Sequence, residues 1–323
     1  IHPYSWDKNY IQSLKTFKKY LEDNSLDSES TKFIYGSGLE DEIGIQEHLD
    51  NEFSIAGNSF SKYRYLSNIY NLDETIFNKK ISLPETSKSY HYKFLSKKYN
   101  SSGGLHVGNN IFSKDIYYQK YLPGKTYSIS FIANGEYSRI LGLNQLFLVK
   151  DNIKFPFLHS GAMNLGLSEA NIDFPKDFIF SICNLYQIKG YCSIDFKIID
   201  NKIYILDFNP RLSSSYRLYT RKYENLMQHH LGLIGNELNM ISNQYYAYII
   251  LYAKKDLVIN NSINEIENIS DRPTIGDYIK KDMPLFTINL YSNDKDDILF
   301  KIKNRIISAM KIIDCYNTQL EYE

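Results

Sequence analysis

Two carboxylates, an amide and a guanidinium crowd into one short stretch of this chain. GYCSIDFKIID (190–200) and IYILDFNPR (203–211) read as two strands of alternating apolar and polar residues, joined at Asp200-Asn201-Lys202. Alternation puts Asp195 and Lys197 on the polar row of the first strand and Asp207 and Asn209 on that of the second. A three-residue loop pairs Ile199 with Ile203, and therefore Asp195 with Asp207; a two-residue loop would turn Asp207 away. Burial of the apolar rows on a common face (Cys192, Ile194, Phe196 and Ile198 beside Tyr204, Leu206 and Phe208) selects the longer loop. Opposed carboxylates with Cβ atoms about 5 Å apart repel unless a cation lies between them. Hard oxygen donors with no histidine nearby suit Mg²⁺, or Mn²⁺, as the metal on Asp195, Asp207 and Asn209. Pro210 has no N–H to give and ends the ladder, and Arg211 then stands beside the metal where an anion can be clamped.

Such a hairpin needs a body to hold it. The chain has 323 residues, too many for one ordinary core, so two or three lobes are expected. Lysine plus arginine equals aspartate plus glutamate at 37 each, which argues against a nucleic-acid partner. No apolar run reaches a membrane-span length of about 20 residues, so neither a membrane span nor a secretory h-region is expected within the chain's 323 residues. It starts at Ile1 rather than Met, so residues upstream are expected to be missing or removed. Cys183, Cys192 and Cys315 are odd in number and lack metal-ligand spacing; they read as buried, reduced thiols of a cytoplasmic protein. The 29 tyrosines follow the same compositional bias as the Lys, Asn and Ile content and carry no functional weight.

Ile11, Leu14, Phe17 and Leu21 are spaced for the apolar face of an opening helix. KFIYGSGLEDE (32–42) is a short strand with a Gly-Ser-Gly turn; it lacks the third glycine of a dinucleotide fingerprint. ISLPET (81–86) reads as a linker. YHYKFL (90–95) alternates as a strand carrying Lys93, and Ser101, Ser102, Gly103 and Gly104 follow in a polar loop whose backbone N–H groups could close on phosphate. Strands cover 115–149, with turns at Pro123-Gly124 and Asn134-Gly135, and a helix covers about 175–188. A second helix is expected near 221–234, strands at 247–253 and 284–290, and a closing helix over 294–313. His229-His230, His159 and His106 have no partners at metal spacing, so no zinc is assigned.

The order of these parts resembles the ATP-grasp superfamily of carboxylate–amine ligases over roughly residues 32–290: strand lysine, glycine loop, YYQKYLPG, acidic strand residue, then an acid-x-Asn-Pro-Arg ending. The resemblance implies an α+β, ATP-grasp fold, two lobes gripping ATP after a small, truncated α/β Rossmann-like lobe. Residues 1–86 would be the first lobe, 87–122 the small ATP-grasp subdomain and 123–323 the large one with a C-terminal extension. It also implies that Lys93 contacts nucleotide phosphates and that Ser101, Ser102, Gly103 and Gly104 close over them. Gln119, Lys120, Tyr121 and Leu122 would grip adenine, Asp195, Asp207 and Asn209 would hold Mg²⁺, and Arg211 would face the transferred phosphoryl group. The implied activity joins a small-molecule carboxylate to an amine through an acyl phosphate, using ATP, with homodimers among the expected assemblies.

The chain departs from that pattern in having Asp207 where the family has glutamate and Lys125-Thr126 where a ribose-binding acid would stand. Its first lobe is also short. An ATP-binding protein without catalysis, serving as a sensor or complex subunit, therefore stays open as the alternative. YGSGLED, SSGGLHV, YYQKYLPG and DRPTIGDYIKKDMPLFTI (271–288) further resemble a subgroup linked to tetrahydromethanopterin and methanofuran one-carbon metabolism, in which one relative joins glutamate to tyramine.

Overall fold

Long alternating segments can bury their apolar rows only by pairing into a sheet and covering one face, and this chain does so at length. The computed structural model describes residues 10–27, 31–40, 42–99, 102–108, 115–166, 174–233, 235 and 237–320. A first lobe holds α1 (Tyr10–Asp23), β1 (Lys32–Phe33), α2 (Ile43–Glu52), β2 (Ser54–Ile55) and α3 (Phe60–Ser67), with β1 and β2 parallel. Phe17 and Leu21 of the expected opening helix are buried with Leu49, Phe53, Phe60 and Tyr63. Ser59 caps α3 by accepting from the Lys62 N–H.

The expected linker at 81–86 is not a plain connection. β3 (Ile81–Ser82) pairs in parallel with the edge of the large sheet, and β4 (Thr86–Ser87) opens a small sheet with β5 (Phe94–Lys98), β6 (Val107–Gly108) and β7 (Ile116–Lys120). The large sheet adds β8 (Thr126–Asn134), β9 (Ser138–Val149) and β10 (His159–Leu165). After α4 (Lys176–Tyr186) come β11 (Lys189–Ile199), β12 (Lys202–Asn209), short helices α5 (Tyr216–Tyr219) and α6 (Leu226–His230), and β13 (Tyr245–Tyr252). The region near 221–234 is thus helical only in part, because Asn225 adopts a left-handed φ of 55° ahead of α6. β14 (Leu257–Val258) pairs with β16 (Tyr278–Ile279), while β15 (Ile269–Ser270) and β17 (Pro284–Ser292) extend the large sheet. α7 (Lys295–Ile312), capped by Asp294, and β18 (Thr318–Gln319) close the chain.

The large sheet runs β15-β17-β13-β10-β9-β8-β11-β12-β3, antiparallel except at β12–β3, with β18 against β9. One face carries the main core, where Phe178 and Ile182 of α4 and Ile298, Ile302 and Ile306 of α7 cover Phe131, Phe147, Phe196 and Phe208. All three cysteines are buried and free. The other face is covered in part by α5 and α6, where Leu218, Tyr219 and Leu226 pack on Ile132, Tyr191 and Tyr248, and the small sheet overhangs the rest.

Two expectations for the central hairpin change. Asp200 and Asn201 both take left-handed backbone (φ 50° and 60°), so the connection is a two-residue turn with Ile199 opposite Lys202. The register nevertheless brings Asp195 opposite Asp207, because a β-bulge between Asp195 and Phe196 leaves Leu206 as an extra residue on β12. The bulge also reassigns the apolar row: Ile203, Ile205 and Phe208 are buried, while Tyr204 and Leu206 are not.

Candidate active site

A cleft of about 260 Å³ lies between the small sheet and the open face of the large one. Asp195, Asp207, Asn209 and Arg211 line it from the hairpin, Ser102, Gly103 and Gly104 from the loop after β5, and Gln119, Lys120, Tyr121 and Leu122 from the inter-sheet hinge. Ser101 lies outside the described residues.

Lys93 does not belong to this group. It lies in the turn before β5, exposed, with its ammonium 5.4 Å from the exposed Tyr92 ring. β5 begins one residue later, and its inward lysine is Lys97, 8% exposed and lining the cleft. Tyr90, Tyr92 and Phe94 alternate in sequence, but only Phe94 is buried, so the aromatic row marks a turn as well as a strand. Lys97 Nζ donates to the Leu206 carbonyl at 3.0 Å and to Gln119 Oε1 at 3.4 Å. Gln119 also donates to Tyr70 Oη at 2.9 Å, so its side chain orients Lys97 rather than standing free.

The two carboxylates are only half-covered at the surface, yet protein walls off most of the water that would solvate them. Burial pushes Asp207 up to about 7, with Lys97 opposing and the Asp195 charge adding to the rise. Burial pushes Asp195 up to about 6, opposed by the Ser128 hydroxyl, Lys97 and Arg211. Two acids that resist ionising side by side are the arrangement a divalent cation would relieve. Among the described residues no group of three His, Cys, Asp or Glu side chains could hold a metal. The donor set is therefore two carboxylates and an amide oxygen, which fits Mg²⁺: that ion takes few protein oxygens and fills its shell with phosphate and water.

The hinge is clamped by a residue the hairpin pattern shows but leaves without a role. Lys197, two positions from Asp195 on the same face and 9% exposed, donates to the carbonyls of Leu122 at 2.7 Å and Gly124 at 2.8 Å. Burial lowers it to about 8. Its ammonium lies 5.5 Å from the Tyr121 ring. No acid follows the hinge; of Lys125 and Thr126, Thr126 lines the cleft and Lys125 is exposed outside it.

The glycine loop lies shut against the large sheet. The His159 N–H donates to the Gly103 carbonyl at 3.0 Å. At Gly104 (φ 78°) an added Cβ would lie 1.8 Å from the Phe157 carbonyl oxygen. Only a residue without a side chain allows that approach. His159 Nε2 meets Tyr248 Oη at 2.9 Å, and burial lowers the imidazole to about 4, so it is neutral.

Arg211 is 4% exposed and reaches Glu40 of the first lobe at 2.9 Å, with Tyr63 beneath it at 5.5 Å. Asn58, also from the first lobe, donates to the carbonyls of Lys189 at 2.8 Å and Pro210 at 3.0 Å and accepts the Lys189 N–H at 3.0 Å. Asn58 carries no motif in the sequence, and Glu40 stands within the quoted YGSGLED without a role assigned to it.

The fold is the ATP-grasp fold. Residues 66–215 match the family model of the ATP-grasp domain. It is 28% identical over 272 residues to an uncharacterized protein of Methanocaldococcus jannaschii, spanning 76% of this chain and 66%, just under two thirds, of that one. Among solved structures, biotin carboxylase of Campylobacter jejuni in its β,γ-ATP complex matches with a TM-score of 0.65 at 10% identity, over 97% of this chain and 81% of that one. The L-amino acid ligase of Bacillus licheniformis matches with a TM-score of 0.62 at 10% identity, over 92% and 83%.

Proposed function

We propose that this protein is an ATP-dependent ligase joining a carboxylate to an amine. The observation that carries the reading is the facing of Asp195 and Asp207 across β11 and β12 in a cleft that also holds Lys97, the glycine loop and Arg211. Asp195, Asp207 and Asn209 would hold Mg²⁺, which when bound neutralises phosphate charge. The chain's own groups do the rest by position and charge. Lys97, in the place expected of Lys93, offers its ammonium to the phosphates. Ser102, Gly103 and Gly104 cover them and keep water from the reactive intermediate. Residues 119–122 take the base, and Arg211 faces the terminal phosphoryl group. A substrate carboxylate oxygen attacks the γ-phosphorus and ADP leaves; the amine nitrogen attacks the acyl carbon, inorganic phosphate leaves, and a proton is lost as the amide forms.

The motif resemblance to the methanofuran and tetrahydromethanopterin subgroup supports amino-acid-like substrates, a place in one-carbon cofactor biosynthesis and a cytoplasmic setting. No described helix is long and apolar enough to cross a membrane. Asp207 in place of glutamate favours a second reading, an ATP-binding protein without catalysis. ADP release from Mg-ATP across a panel of amino acids and amines separates the two. The ligase releases ADP with a particular pair, and Asp207→Ala abolishes that release while the chain stays folded. Wild-type amide formation by purified Asp207→Ala would overturn the assignment.

A further inference from the structure

The guanidinium of Arg211 has three nitrogens, and protein acceptors occupy two of them. One terminal nitrogen (Nη2) donates to Glu40 Oε1 at 2.9 Å and the other (Nη1) to the Leu212 carbonyl at 3.1 Å. Nε is buried with no partner, and among the described residues it is the one such orphan on a cleft-lining side chain; the others belong to His48 and His230. An N–H buried without an acceptor costs about 1–3 kcal/mol. That cost falls on a side chain that lines the cleft, so the placement of the whole guanidinium there matters.

The group that sets its direction comes from a distant part of the chain. Glu40 is 9% exposed, and the Glu40–Arg211 contact spans 171 positions. Glu40 is itself fixed. Its Oε2 accepts the Gly38 N–H at 2.6 Å, and its backbone carbonyl accepts from Gln46 Nε2 at 3.2 Å, a fully buried amide on α2. Asn58 holds the Pro210 carbonyl, one residue before Arg211. Arginine has a long, rotatable stem, and without Glu40 only two uncharged partners, the Leu212 carbonyl and the Tyr63 side chain, would hold the far end of this one. With Glu40 in place the pair carries no net charge, so an anion would be recognised by the fixed placement of the guanidinium rather than by bulk attraction.

We infer that Glu40 is a positioning residue: it fixes the Arg211 guanidinium at the cleft wall, where that group serves the terminal phosphoryl group of the bound nucleotide. The inference rests on the ligase reading, in which Arg211 serves that group. It also gives the first lobe a part in nucleotide discrimination that the ATP-grasp lobes would lack without it.

Calorimetric titration with Mg-ADP and with the Mg complex of the β,γ-imido analogue of ATP tests it, because only the analogue carries the third phosphate. Wild type, Glu40→Ala, Glu40→Gln, Arg211→Ala and the double variant Glu40→Ala/Arg211→Ala are compared. Glu40→Ala should weaken the analogue about tenfold and leave ADP within about twofold. Glu40→Gln keeps an oxygen for Nη2 and should stay within about threefold of wild type. The double variant should match Arg211→Ala, since Glu40 acts only through that arginine. Wild-type affinities in Glu40→Ala, an equal loss of both nucleotides, or a further loss on top of Arg211→Ala would each overturn the inference. Failure of the part of that reading used here, nucleotide binding at Arg211, leaves a different pattern: Arg211→Ala binds both nucleotides like wild type, or wild type binds neither. The inference falls with it.

Discussion

Acid should loosen the seat of the first lobe through a single imidazole. His230, 3% exposed, accepts the Tyr191 N–H on Nδ1 at 3.0 Å, and its Nε2 is buried without a partner. Gly57 and Gly190 press on the ring; an added Cβ at Gly190 would lie 2.6 Å from Nδ1. Protonation would put a donor where Tyr191 already donates and a charge where no water reaches. Burial accordingly lowers the group from 6.5 to about 4. The folded value lies below the unfolded one, so unfolding takes up a proton between them. The stabilisation is whole above the unfolded value and is lost as pH falls toward the folded one. Across that window the loss is about 3 kcal/mol, and from roughly pH 7.5 to 5 it is about 2 kcal/mol. The wild-type curve alone will not display it, because Asp195 and Asp207, raised to about 6 and 7, gain stability over the same fall. His159, lowered to about 4, adds a slope of the same sign as His230. The informative quantity is the difference from His230→Asn, whose amide oxygen can take the Tyr191 N–H but does not titrate. Urea unfolding in chelator at the two pH values should show wild type losing about 2 kcal/mol more than the variant. Parallel pH dependence of the two proteins would refute the reasoning.

Two substitutions check the reassigned lysine and the loop. Lys97→Met should lower ATP turnover by about a hundredfold or more, whereas Lys93→Met, at an exposed turn, should stay within about twofold; steady-state ADP release measures both. Gly104→Ala places a methyl against the Phe157 carbonyl and strains a left-handed residue. It should raise the KM for ATP at least about tenfold with a thermal midpoint within a few degrees of wild type, because the loop can open where the sheet cannot. The paired ADP-release and melting measurements decide it.

The hairpin was legible because its chemistry follows strand alternation, and burial of Ile194 and Phe196 leaves Asp195 on the open side. Alternation did not show how Asp207 joins it. The turn residues Asp200 and Asn201 accept left-handed backbone, and a single bulge compensates for the shorter loop they make. Nor could periodicity locate the start of β5, where an alternating aromatic run includes the exposed Tyr90 and Tyr92, so Lys93 displaced Lys97. Glu40, Asn58 and Lys197 act across long sequence separations on backbone carbonyls or on Arg211, and no local spacing encodes such contacts. The helices over 175–188 and 294–313 stand nearly where periodicity puts them, since each lays an apolar stripe on the sheet core.

Leu206 has a consequence for how such a chain can drift. Removing that one amino acid would straighten the ladder, with Ile205 still opposite Phe196 and Asp207 still opposite Asp195. Every core neighbour would keep its side. What would vanish is the carbonyl that tethers Lys97 and an apolar side chain of the cleft wall. An in-frame codon loss there would be nearly invisible to folding and costly to chemistry, so descendants lacking it would persist as sound proteins with an idle cleft.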